Sequence, residues 1–152
     1  MERINLGRVV LGGIVAGIVA SILGYLVDGV ILAPQWTAAM KVLGKGDFTT
    51  NQIVAFNLIA LAYGVFAVWL YAAIRPRYGA GPKTALCAGL AVWVAGVLLP
   101  NAGFMGATGL FPSDLTIMTT LAGAVEWSAA ILAGASLYKE GAESARTAQA
   151  HA

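Results

Sequence analysis

The chain has 152 residues, 59% of them apolar and 11% charged, with a mean hydropathy of +0.80. A soluble domain averages roughly 45–50% apolar and about 25% charged; sparse charge excludes disorder, and a single cysteine, Cys87, excludes a disulfide scaffold. The net charge of +2 is scattered, which excludes an electrostatic nucleic-acid surface and leaves an integral membrane protein.

Four stretches meet the roughly 20 mostly apolar residues that cross about 30 Å of hydrocarbon. The first, 9–32, follows Arg3 and Arg8 as a signal peptide would. Its apolar run exceeds the roughly 7–15 residues of such a peptide and has no small-x-small cleavage site, so it reads as a retained helix. At 100° per residue, Gly13, Gly17, Ser21, Gly24 and Asp28 lie within about 40° of their mean direction. This stripe reads as a helix-packing face that leads to an acid, with Gly13 and Gly17 available for oligomerisation.

The following loop places Trp36, Met40 and Leu43 at i, i+4 and i+7. That spacing predicts a short helix along the membrane surface with Trp36 as interfacial anchor, or a capped loop packed on the helix ends. Thr49 and Gln52 form a capping-box pattern before the second stretch, 53–74. There Asn57, Ala60, Gly64 and Ala67 align, and Arg75-Pro76-Arg77 reads as the stop. The third stretch, 84–104, carries Pro100 beside Asn101, which loosens the helix and frees backbone carbonyls. Ser113 or Asp114 reads as the N-cap of the fourth, 115–138, which aligns Thr119, Ala122, Glu126, Ala129 and Ala133. Residues 139–152 read as a polar, fraying tail, with the sole histidine, His151, solvated. The expectation is one all-α membrane domain, a bundle of four transmembrane helices.

With the N-terminus inside, Arg3, Arg8, Arg75, Arg77, Lys83, Lys139 and Arg146 are cytoplasmic and only Lys41 and Lys45 are outside. That is a positive-inside bias, and it puts both termini in the cytoplasm. Tyr71, Tyr78 and Tyr138 then fall at the inner boundary, where amphipathic rings prefer to lie.

Counting about 1.5 Å per residue, Asp28, Asn57 and Asn101 each fall roughly 10 Å outward of mid-membrane, with Glu126 close to the middle. Together they form a candidate polar patch open to the outside. An ionised carboxylate at the bilayer centre costs about 2.5–3.5 kcal/mol on insertion scales. Glu126 is therefore expected to face the bundle interior, protonated or hydrogen-bonded. Its functional reading is a proton or cation site; its structural reading is a neutral acid that fixes packing. For Asp28, nearer water, the structural reading is preferred. Trp69, Trp93 and Trp127 either line a pocket for a lipid-like ligand or fill gaps opposite glycines.

Other chemistry is set aside. One cysteine makes no C-x-x-C pair, and one tail histidine makes neither haem ligation nor a His-rich metal site. The stretch 79–84 lacks the glycine directly before lysine and the preceding strand of a phosphate loop. No serine or threonine has a recognisable general base. No cofactor, no metal and no enzymatic activity are expected. The partners are membrane lipids, and beyond them further copies of the chain or a larger membrane complex.

Residues Gly29-Val30-Ile31-Leu32-Ala33-Pro34-Gln35-Trp36, with Met40 and Leu43-Gly44, carry a resemblance. So do Val68-Trp69-Leu70-Tyr71-Ala72-Ala73-Ile74-Arg75-Pro76-Arg77-Tyr78-Gly79 and Gly81-Pro82-Lys83-Thr84. On these positions the chain resembles small, uncharacterised bacterial four-helix integral membrane proteins of the domain-of-unknown-function kind. The resemblance implies a bacterial inner membrane and four helices, and no activity. Small multidrug exporters are similar in size, but their essential glutamate lies in the first helix, whereas Glu126 is in the fourth. The functional expectation is a small accessory or structural membrane protein. The alternatives are a proton-coupled transporter or channel using Glu126, and a lipid-modifying enzyme built on Glu126 and Asp28.

Overall fold

The computed structural model describes residues 4–139. The expected tail beyond Lys139, with Arg146 and His151, and the flanking Arg3 lie outside the described residues. Within them the protein is all-helical, and four helices are long and apolar enough to cross a membrane: Leu6–Ile31, Thr50–Tyr78, Pro82–Ala107 and Ser113–Ser136. The first span is α-helical as α1 (Leu6–Gly24) and continues as a π-helix over Tyr25–Ile31. A shorter helix, α2 (Ala33–Val42), joins it to the second span, α3 (Thr50–Tyr78). The third span begins as α4 (Pro82–Trp93) and includes π-helical stretches at Val94–Leu98 and Asn101–Ala107. The fourth span is α5 (Ser113–Ser136).

Side-chain size is distributed as lipid demands. The core is built largely of alanine (Ala16, Ala67, Ala72, Ala85, Ala88, Ala130), with Val9, Val68, Val92 and Ile131 among them. Ile14, Ile18, Ile22, Leu58, Ile59, Leu121 and Val125 are exposed. Water would select the reverse. In hydrocarbon, expelling large apolar groups gains nothing, so small residues go between helices and let the backbones approach.

Glycines set the closest approaches. A Cβ on Gly17 would lie 2.6 Å from Leu61 Cα, and one on Gly64 would lie 2.6 Å from Gly17 N. Gly13 meets the Val65 backbone in the same way. On the next face, Gly12 and Gly134 bring α1 onto α5, where each Cβ would stand 2.5 Å from the other's carbonyl oxygen. The Gly13/Gly17 face expected to be available for oligomerisation is thus consumed inside the chain, against α3.

Every span's bounds differ by one or more residues from the sequence reading, and at two ends the expected stop or cap signal is not the one used. Thr49 and Gln52 do make a reciprocal capping box, with the Gln52 side chain accepting from Thr49 N–H at 2.8 Å. But α3 runs through Pro76 to Tyr78 and stops at Gly79, whose φ of +83° no L side chain adopts easily. A proline in the final turn removes a single helical hydrogen bond, and Gly79 N–H closes the helix onto Arg75 O at 2.8 Å. At α5, Pro112 is the N-cap and no side chain caps it; Ser113 is already helical.

At the end of the bundle that carries the chain's first helical turn, Tyr71 and Tyr138 meet edge to face at 6.0 Å. Arg75 lies 5.6 Å over the Tyr138 ring, and Asn5 N–H donates to the Tyr138 hydroxyl at 3.4 Å. These contacts and the glycine crossings hold one half of the bundle shut.

Candidate functional site: a cleft between the first and second spans

Two helices that touch at a crossing part beyond it. Past Gly17 the first span and α3 diverge, and α2, lying across their ends, leaves a cleft of about 1060 Å³. Ser21, Gly24 and Asp28 line one wall; Asn57, Ala60 and Leu61 line the other; Glu126 and Trp127 come from α5. The small-residue stripe of the first span therefore has two uses. Gly13 and Gly17 pack against α3, while Ser21, Gly24 and Asp28 face the opening.

Glu126 lies opposite Gly24: a Cβ built there would stand 3.7 Å from Glu126 Oε2. Glu126 Oε1 is buried and has no hydrogen-bond partner. A carboxyl group that served only to fix packing would have both oxygens engaged, because an unsatisfied buried polar atom costs about 1–3 kcal/mol.

Asp28 is held differently. It sits in the π-helical stretch, where Leu32 N–H reaches back five residues to Val27 O at 2.7 Å. Its Oδ1 accepts from Trp36 Nε1 at 3.0 Å. The Trp36 ring also packs edge to face on Phe48 at 5.8 Å and Phe111 at 5.6 Å, and Phe48 packs on Phe56 at 5.6 Å. Trp36, expected as an interfacial anchor, is half-buried and engaged with the bundle; it ties α2 down over the cleft. Below it Leu32, Ala39 and Leu115 form a second small core. Trp36→Phe is expected to lower unfolding stability in detergent by about 1–2 kcal/mol, since it leaves Asp28 without its indole hydrogen bond. Asp28→Asn, which keeps an acceptor, should cost less in the same denaturation measurement.

Asn57 is exposed on the cleft wall, and its amide donates to Ile53 O at 2.8 Å, one turn back. Asn101 does not line this cleft. Its amide donates to Thr120 Oγ1 at 3.0 Å and Thr119 Oγ1 at 3.4 Å, and Trp93 Nε1 donates to Thr120 O at 2.8 Å, so the third span is fastened to α5 there. A π-helical stretch shifts the phase of every residue beyond it. The one at Val94–Leu98 turns Asn101 away from the direction a regular helix would give it. Among the three tryptophans weighed as a pocket, Trp127 lines the cleft and meets Tyr63 at 5.8 Å, whereas Trp69 stacks on Phe66 outside it.

The sequence reading missed Phe48 and Phe56, and with them Thr37 and Asp47, which bond to each other at 3.1 Å beside the cleft mouth. The only local signal was an apolar residue just before the Thr49 cap. Among the described residues no group of three or more His, Cys, Asp or Glu side chains converges as a metal site. In comparisons with protein-family models, curated proteins and solved structures, nothing matched this chain.

Proposed function

We propose that this chain is a small multi-pass protein of the bacterial cytoplasmic membrane, with both termini inside, that acts as a transporter or channel. A small solute enters the cleft from the outer side, and Glu126 binds the coupling proton or cation. The observation that carries this reading is a Glu126 carboxyl with a buried, unpartnered oxygen on the wall of a cleft of about 1060 Å³. Small-molecule sites are apolar clefts of roughly 300–1,000 Å³ with a few placed polar groups, and intramembrane acids face such cavities. Asp28 and Asn57 stand along the approach. The excess of Lys and Arg at the opposite end supports an outward-facing mouth. An accessory protein that only packed against partners would have no use for an open interior acid.

The reading requires water in the cleft. In a Cys87→Ala background, Ser21→Cys and Asn57→Cys are expected to react with a membrane-impermeant charged thiol reagent applied to right-side-out vesicles. Ala67→Cys, at a position buried in the glycine-crossed half, should stay unreactive. Protection of Ser21→Cys and Asn57→Cys from the outside would overturn the reading.

A further inference from the structure

Among the described residues, the cleft walls carry three acids, Asp28, Asp47 and Glu126, and no lysine, arginine or histidine. Two of the acids are already engaged: Asp28 by the Trp36 indole and Asp47 by the Thr37 hydroxyl. Glu126 is the acid with a buried oxygen that lacks a partner, and it lies opposite Gly24. Around it the walls are apolar and aromatic: Ile18, Ile22, Tyr25, Phe56, Leu61 and Trp127. Ile22, Tyr25 and Phe56 are also exposed, so the cleft opens sideways towards the surroundings as well as under α2.

From this arrangement we infer that the ligand is an amphiphilic monocation, an amine with an aromatic or short aliphatic body and no phosphate or carboxylate. The inference rests on the cleft being a ligand site, as proposed above, and adds the class of molecule. The one acid with a buried, unpartnered oxygen calls for one ammonium, which would donate to the Glu126 carboxyl. Aromatic faces and edges around the body suit a flat apolar group and add cation–π attraction near the charge. An anionic or zwitterionic headgroup would bring its negative charge beside Asp28 and Asp47 with no basic residue among the described lining residues to meet it, so a phospholipid is the wrong occupant. Beside the outer entrance, the lateral opening also admits such a molecule from the hydrocarbon.

The test uses the full chain in phosphatidylcholine nanodiscs and three matched probes: 1-naphthylmethylammonium, 1-naphthylmethanol and 1-naphthaleneacetate. Equilibrium binding above that of empty nanodiscs is measured. The ammonium is expected to bind saturably, at least about tenfold more tightly than the alcohol, with the acetate weaker still. A charge-pair hydrogen bond of about 1.5–3 kcal/mol corresponds to that ratio or more. Glu126→Gln should reduce the ammonium to the affinity of the alcohol. Gly24→Leu, which fills the space facing Glu126, should weaken the ammonium and the alcohol together. Equal binding of ammonium and alcohol to the wild-type chain would overturn the monocation inference and leave the cleft as a ligand site. Saturable binding of none of the three would overturn both. Competition by phosphatidylethanolamine doped into the nanodiscs would identify a lipid amine as the occupant and overturn the exclusion of phosphate.

Discussion

Gly64→Ala is expected to destabilise the bundle by about 3 kcal/mol, the upper end of the range for overpacking, although it adds one methyl group. The new Cβ would stand 2.6 Å from Gly17 N and 3.0 Å from Gly17 Cα, and it would overlap the Gly13 carbonyl oxygen. Those neighbours are backbone atoms in the middle of a helix, so no rotamer change relieves the clash and the two spans must separate along their whole crossing. Separation also removes the close contact that buries Ala67 and Val68, both 0% exposed. Gly103→Ala is the control. Nothing lies within 4 Å of its Cβ position, so it should be neutral or gain up to about 1 kcal/mol from the lower backbone entropy of the unfolded chain. Tryptophan fluorescence against a rising mole fraction of a denaturing detergent measures both. Equal midpoints for the two variants would refute the close-packed crossing.

Glu126→Met is expected to weaken ammonium binding in the cleft at least about tenfold while leaving the bundle as stable as the wild type or more stable by about 1–3 kcal/mol. The carboxyl has an oxygen that is buried and unpartnered, and a polar group in that condition costs free energy that a thioether of similar length does not. Sites that bind ligands commonly hold such costs, and removing them exchanges function for stability. If Glu126 were instead a packing acid, its loss would strand a partner and the same variant would be less stable. The detergent midpoint and a probe-binding isotherm, measured on one sample, separate the two cases: a lowered midpoint would assign Glu126 to structure.

Features that depend on neighbours in the chain were legible from the residues alone. Hydropathy over twenty residues is a local sum, and it located four helices of spanning length. The capping box at Thr49 and Gln52 is a contact between residues three apart, and it appears in the fold with both of its bonds. Helical phase within the first span was legible too, since Gly13, Gly17, Ser21, Gly24 and Asp28 share a face whatever that face meets. The end of α3 was not, because a stop at Gly79 and a stop at Pro76 differ by a single hydrogen bond.

What each face meets was decided only in three dimensions. The stripe on the first span divides at the point where α3 departs from it, and no property of Ser21 or Gly24 records where that crossing lies. Asn101 resembled Asn57 in depth and type, yet a π-helical stretch turned it onto Thr119 and Thr120. Trp36 had the look of a lipid anchor, but Asp28 lies close enough to take its N–H, and indole and carboxylate then satisfy each other. Sequence determined the number of helices and the chemistry each carries, because both follow from local composition and periodicity. Tertiary structure determined that Glu126 stands unpartnered in a cleft, because the packing of three separate spans decides whether a side chain has a neighbour or an opening.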